Sequence, residues 1–176
     1  HDFVEAIIRH SDRTAPAGAF LLCDHRAFSR YGLGYAKPFL PIGKLLRSGY
    51  IRRAGSVEEL AGQIGMDPSV LARTVAEYNK DAVRGEDPRF GKGRSPYGHF
   101  LGDFSSPANP NVAPLDQPLY YAVWMHAGDI GTFAGICTDD RARVVRRDGS
   151  VVEGLFAVGN DMASVVGALK TARGVK

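Results

Sequence analysis

Residues 128–167 constrain the fold more than any other stretch, because a tight hairpin, an apolar strand and a turn of small residues follow one another there without interruption. Asp148-Gly149 marks the hairpin: a two-residue type I′ turn needs positive φ at both central positions, and this pair adopts that conformation at low cost. Val144, Val145, Val151 and Val152 flank the pair with stiff, strand-favouring side chains. Leu155-Phe156-Ala157-Val158 then has the unbroken apolar character of a buried strand. It closes on Gly159-Asn160 and a cluster of small residues, where missing side chains let a ligand come close to the backbone.

The remainder reads as mixed helix and strand. Asp2–Arg9 reads as a short helix with Phe3, Ala6 and Ile7 on one face, Ala19–Asp24 as a strand, and the glycine-bearing, aromatic stretch His25–Lys37 as loop. Ser56 with Glu59 three positions on predicts a capping box, and the helix it opens ends at Gly65. Asp67-Pro68 starts a longer helix with a stripe of Leu71, Val75, Tyr78 and Ala82 and a stop at Gly85, and the two helices should pair. From Gly85 to Pro118 the periodic apolar spacing disappears among glycine, proline, asparagine and serine, which predicts a long irregular excursion. Tyr97, Phe100 and Phe104 punctuate it, and Pro107, Pro110, Pro114 and Pro118 stiffen it, so it is expected to fold onto its domain. Leu119–His126 alternates as a strand, with Tyr121, Val123 and Met125 on one face and Tyr120, Ala122, Trp124 and His126 on the other.

Composition narrows the functional classes. A chain of 176 residues, 44% apolar, has enough material to bury a core, and a net charge of +3 with bases scattered among acids argues against a nucleic-acid surface. Arg141, Arg143, Arg146 and Arg147 cluster along the hairpin, where alternation makes them a solvated strand face. Cys23 and Cys137 sit in apolar surroundings and read as small buried hydrophobes; with no close Cys/His set, no metal site is expected, and a reducing cytoplasm fits. No run approaches the roughly 18 apolar residues of a membrane span, and the N-terminus shows no signal-peptide succession.

The segment Gly128-Asp129-Ile130-Gly131-Thr132, Thr138-Asp139, Ala142, Val144-Val145 and Gly154-Leu155-Phe156-Ala157-Val158-Gly159-Asn160 resembles, in that order, the last third of the FAD-dependent flavoproteins that group fumarate reductase with 3-ketosteroid dehydrogenases. Leu46-Arg47-Ser48-Gly49-Tyr50, Val57-Glu58-Glu59-Leu60-Ala61, Asp67-Pro68 and Tyr120-Tyr121-Ala122-Val123 are similar to the steroid branch. Members of that family open with a G-x-G-x-x-G turn that holds the pyrophosphate of FAD. The glycine pairs here, Gly32/Gly34 and Gly91/Gly93, lack the third glycine and read as loops. After Gly167 the steroid-type enzymes resemble one another in a Tyr-x-Gly-Pro-Gly run, whereas this chain has Ala168-Leu169-Lys170-Thr171-Ala172.

The resemblance implies an α+β chain: a cap, or substrate-binding, domain over residues 1–127 with paired helices and a small sheet, then a hairpin-rich remnant of an FAD domain over 128–176. It implies a fragment, doubtful as an FAD binder alone, of an enzyme that desaturates a 3-ketosteroid-like substrate. The α proton is removed and hydride passes to the flavin. Gly131, Thr132, Gly159, Asn160, Met162 and Ser164 are the residues placed against FAD. Asn160 is either a partner for flavin-nucleotide hydroxyls or a turn asparagine, and Ser164 either caps a helix facing the flavin or is an ordinary cap. Ala134 stands where the family has glycine.

Tyr31, Tyr35, Tyr50, Tyr120 and Tyr121 reach a ketone pocket or are half-buried with satisfied hydroxyls, so none takes a catalytic role from sequence. His126 reads as a structural or rim residue and Asp139-Asp140 as turn formers. Reduction of an unsaturated dicarboxylate is the alternative within the family, and a non-catalytic cap-like binding module the alternative outside it. The first needs convergent arginines, for which Arg47, Arg52 and Arg53 are the available residues. A hydrophobic ketone is the expected small-molecule partner, and unpaired strands make a homodimer a modest expectation.

Overall fold

The computed structural model describes residues 6–7, 18–106, 108–128 and 134–164. The chain divides into two compact units, Gly18–His126 and a second joining His1–Ala17 to Ala127–Lys176.

The unit Gly18–His126 is organised on a three-stranded antiparallel sheet in the order β1-β3-β2, formed by β1 (Gly18–Asp24), β2 (Ile51–Ala54) and β3 (Tyr120–His126). β3 is central, pairing Gly18 with His126 through Asp24 with Tyr120 on one edge and Ile51 with Val123 on the other. Strand alternation splits its side chains between two apolar clusters. Tyr121 and Val123 join Phe28, Leu33, Ala36 and Ile51, against α1 (His25–Tyr31) and α2 (Gly43–Arg47). Ala122 joins Ala54 and Leu60 on the opposite face, continuous with Val57, Ala61 and Leu71 of the paired helices α3 (Val57–Gln63) and α4 (Pro68–Ala82). Both faces of the sheet are therefore covered.

The helix starts follow their caps. Ser56 Oγ accepts from Glu59 N at 3.1 Å, but the Glu59 carboxylate accepts from Gly55 N at 2.8 Å, so the box closes one residue earlier than its usual form. Asp67 accepts from the N–H groups of Ser69 and Val70, and Gly65 and Gly85 take positive φ where the two helices stop. The loop expected over His25–Lys37 is corrected for His25–Tyr31, which is helical. Asp24, the last residue of β1 and only 2% exposed, caps α1 by accepting from Ala27 N at 2.9 Å.

The excursion from Gly85 to Pro118 holds one short helix, α5 (Pro96–Phe100). Amides fasten it rather than aromatics. Asn79 of α4 clasps Leu115 by donating to its carbonyl at 2.9 Å and accepting from its N–H at 2.8 Å. Asn109 donates to the Gly85 and Lys92 carbonyls, and Asn111 to that of Gly98, whereas Tyr97, Phe100 and Phe104 are exposed.

In the second unit β4 (Arg143–Val145) and β5 (Val151–Phe156) form the hairpin. Its turn differs from the two-residue type I′ expectation. Gly149 N donates to Arg146 O and Arg146 N to Ser150 O; Gly149 has φ +85°, and Asp148 is not among the positive-φ residues. This is the three-residue loop in which a type I turn ends on a left-handed glycine. Asp148 instead uses its carboxylate to accept from Ser150 N and Oγ, which holds it at negative φ.

The apolar run after the hairpin is corrected as well. Leu155, Phe156 and Val158 are 49%, 61% and 65% exposed and only Ala157 is buried, because among the described residues no second layer lies on the two-stranded sheet. Cys137, expected to be buried, is exposed. Of the helix expected over Asp2–Arg9, only Ala6 and Ile7 fall among the described residues; both are helical, and Ile7 is buried.

Candidate active site

A cleft of about 440 Å³ opens in the unit Gly18–His126 between α1, α4 and the excursion, with Arg30, Tyr31, Tyr78, Asp103 and Ser105 in its wall. A second, more open cleft of about 720 Å³ lies along the excursion and shares Tyr31, Asp103 and Ser105 with the first. The shared wall is a polar cluster built by two elements.

α1 supplies one half. Its start is fixed by Asp24, whose second carboxylate oxygen accepts from Asp116 N at 3.3 Å and Gln117 N at 3.2 Å, tying helix, strand and the end of the excursion together. Its middle is fixed by Phe28, stacked on Tyr121 with ring centroids 4.0 Å apart. The last turn then carries Arg30 and Tyr31, and Gly32 closes it at φ +73°. The excursion supplies Asp103, whose N–H donates to Pro110 O at 2.7 Å.

The two oxygens of Asp103 divide their partners. Oδ1 accepts from Ser105 N at 2.9 Å and Ser105 Oγ at 2.7 Å, a local turn that orients the carboxylate. Oδ2 accepts from Arg30 Nη1 at 2.7 Å and from the Tyr31 hydroxyl. The Tyr31 and Ser105 hydrogen bonds hold the Asp103 carboxyl well below the usual carboxylate range. Partial desolvation, then the bond to Asp103, pushes the Tyr31 phenol up, against an opposing pull from Arg30. The resting pair is therefore a neutral phenol on a carboxylate, with the guanidinium balancing its charge.

Two of the other candidate tyrosines have hydroxyls engaged elsewhere, and the Tyr35 side chain is exposed. Tyr50 Oη accepts from Tyr35 N, Tyr121 Oη shares a hydrogen bond with His25 Nδ1, and Tyr78, absent from the sequence candidates, donates to Ala113 O. Tyr31 alone among the candidates pairs with a carboxylate in a cleft, a distinction that depends on Asp103, far away in sequence. His126 is exposed, edge-on to Trp124. Asp139 accepts from the N–H groups of Arg141 and Arg143 and pairs with the Arg143 guanidinium at 2.7 Å, a turn former as expected.

The residues assigned to FAD lie in the second unit. Gly159, Asn160 and Asp161 form a single 3₁₀ turn, followed by Met162 and Ser164, both partly buried. The segment Gly135–Ile136 runs beside it: Ile136 pairs in parallel with Met162, Ile136 N donates to Asp161 O and Ala163 N to Ile136 O, both at 2.9 Å. Gly135 is required there, since a side chain would overlap the Met162–Ala163 backbone. Gly131 and Thr132 lie outside the described residues. At Gly159, φ is +61° and no atom stands within 4 Å of where a side chain would begin, leaving an accessible backbone turn beside exposed Asn160. These features fit a flavin nucleotide lying against backbone. Among the described residues no cluster of side chains suits a metal, and no helix is long and apolar enough to cross a membrane.

Residues 1–175 match the family model described as an FAD binding domain. A 4-oxocyclohex-2-ene-1-carboxylate 5-dehydrogenase from Sinomonas cyclohexanicum is 44% identical over 168 residues, covering 95% of this chain and 28% of that protein. A 3-oxosteroid 1-dehydrogenase from Mycobacterium tuberculosis is 39% identical over 150 residues, covering 85% of this chain and 27% of that protein. The crystal structure of a 3-ketosteroid delta1-dehydrogenase from Sterolibacterium denitrificans, in complex with 1,4-androstadiene-3,17-dione, superposes with a TM-score of 0.80 at 36% identity, over 94% of this chain and 30% of that one. The chain thus spans under a third of the length of these proteins. It belongs to the FAD binding domain family, among the flavin-dependent oxidoreductases that include steroid and related dehydrogenases.

Proposed function

We propose that this chain is the substrate-binding part, with one wall of the flavin site, of a dehydrogenase that introduces a double bond beside the carbonyl of a cyclic ketone. A six-membered ring ketone is the chemistry common to the oxocyclohexene carboxylate and the oxosteroids named for its relatives. The observation that carries the reading is the Tyr31 phenol presented in a cleft beside Asp103 and Arg30. In its ionised form Tyr31 Oη takes the α proton of the ketone, becoming a phenol as the C–H bond breaks. FAD, when bound, would supply the hydride acceptor for the β carbon. Gly159, Asn160, Met162 and Ser164, with Gly131 and Thr132, are the residues that hold it.

Unit Gly18–His126 serves as the cap and the second unit as part of the FAD domain, and its uncovered hairpin pairs with another copy when the chain is alone. The dicarboxylate alternative gains no support, because Arg52 and Arg53 are exposed neighbours on β2 and Arg47 ends α2, with no convergent anion site among them. A non-catalytic module gains none either, since the relatives this chain matches are named as dehydrogenases.

Two measurements test the reading. The purified 176-residue chain is expected to bind FAD weakly and to show no dye-coupled desaturation; turnover by it alone refutes the division of labour. Grafted in place of the matching segment of the Sinomonas dehydrogenase, the chain is expected to support desaturation of a cyclic ketone, and Tyr31→Phe to cut kcat by about 10²-fold or more. Because the acting form is the phenolate and its pKa is raised, kcat of the hybrid is expected to climb into the alkaline range. Wild-type turnover with Tyr31→Phe sinks the assignment.

A further inference from the structure

The acid–base reading of Tyr31 leaves open what governs its hydroxyl. The phenol sits on a flexible side chain more than half exposed, so without a partner its oxygen would sample many positions. Asp103 supplies the partner, and Asp103 is itself held on both oxygens: Oδ1 by Ser105 and Oδ2 by Arg30. Ser105 Oγ also lies 2.6 Å from Arg30 Nη1, closing the cluster. The remaining charged groups of the cleft are turned elsewhere. Arg26 donates to Pro114 O and pairs with Asp24 and Asp116, and the Asp24 carboxylate is taken up by the backbone of Ala27, Asp116 and Gln117. Among the described residues, the charges facing the Tyr31 hydroxyl are therefore one carboxylate from the excursion and one guanidinium from α1.

From this geometry we infer that Asp103 is a positioning residue for Tyr31: clamped by Arg30 and Ser105, it fixes the phenol oxygen where the two clefts meet and, together with Arg30, sets the pH at which that oxygen can take a proton. The inference rests on the acid–base reading for its catalytic meaning, but the coupling exists in the chain without flavin or substrate. The two charges act in opposite senses. The carboxylate stabilises the protonated phenol, and the guanidinium stabilises the phenolate.

The test is a titration of the 176-residue chain carrying ring-labelled tyrosine, with the Tyr31 resonance assigned by its loss in Tyr31→Phe. Asp103→Asn is expected to lower the Tyr31 midpoint and Arg30→Gln to raise it, each by on the order of half a unit at low salt. Asp103→Glu is expected to restore most of the Asp103→Asn shift. Damage to the fold moves every variant toward the free-phenol value and so cannot produce opposite shifts. A Tyr31 midpoint unmoved by either Asp103→Asn or Arg30→Gln, or moved in the same direction by both, overturns the inference. In the hybrid enzyme the alkaline limb of kcat is expected to move with the midpoints, and a limb that stays fixed while the midpoints shift overturns the catalytic half. Wild-type turnover by the Tyr31→Phe hybrid defeats the acid–base reading alone, and the titration still decides the coupling.

Discussion

Cys23 and Cys137 carry the same thiol into opposite environments, and the contrast shows how much a single residue owes to its surroundings. Cys23 packs against the cluster around Phe28 and Tyr121, where burial, and then the neighbouring Asp24 charge, pushes its thiol up to about 12. Cys137 is exposed. The thiolate is the reactive form, so iodoacetamide at about pH 8 is expected to alkylate Cys137 and spare Cys23 until urea unfolds the chain. Peptide mass spectrometry reads the difference, and equal rates in the folded chain contradict it. Because the folded Cys23 pKa lies above its ordinary value of 9.0, its contribution to stability is complete below that pH and is lost as pH climbs toward about 12. Both cysteines stand in apolar sequence, yet only Cys23 is packed against a core, and that only partly buried. Local hydrophobicity cannot say whether a second layer will cover a strand.

At the scale of elements, α1 depends most on one side chain. Asp24 accepts from the N–H groups of Ala27, Asp116 and Gln117 while nearly excluded from solvent. Asp24→Ala strands those donors and is expected to cost about 2–3 kcal/mol in urea unfolding, with Asp24→Asn recovering part of it through its amide oxygen. A loss below about 0.5 kcal/mol removes Asp24 as the organiser of the helix. α3 and α4 were legible from their caps and stripes, since Ser56, Asp67 and Pro68 act within a few residues of themselves. α1 was not, because Asp24 looks like the end of a strand until Asp116 and Gln117 are brought to it. The hairpin was legible in position but not in turn type. Asp148-Gly149 suits several loops, and the Asp148 bonds to Ser150 select one of them.

For the molecule as a whole, the exposed run Leu155, Phe156 and Val158 is a surface a lone chain will tend to hide. Sedimentation velocity of the 176-residue chain is expected to show association rising with concentration, reduced in Phe156→Lys. A strictly monomeric chain at ~100 μM, far above the affinity of a typical specific contact, removes the proposed pairing. The cleft and the Gly159–Asp161 turn belong to separate units, and the proposed chemistry is divided between them.

Read alone, the chain of residues determined the family, the cofactor class, the paired helices, the strand alternation of β3 and the position of the hairpin. The family and the cofactor class came from a resemblance of motifs, whereas the helices, the alternation and the hairpin depend on short-range rules: caps, periodicity and turn preferences operate between residues close in sequence. The tertiary structure decided that Tyr31, not Tyr35, Tyr50, Tyr120 or Tyr121, meets a carboxylate, that Asp24 starts a helix, and that Leu155, Phe156 and Val158 are exposed. Each of these depends on a partner far along the chain or on whether a second layer covers a strand, and contacts of that kind exist only once the backbone has closed on itself.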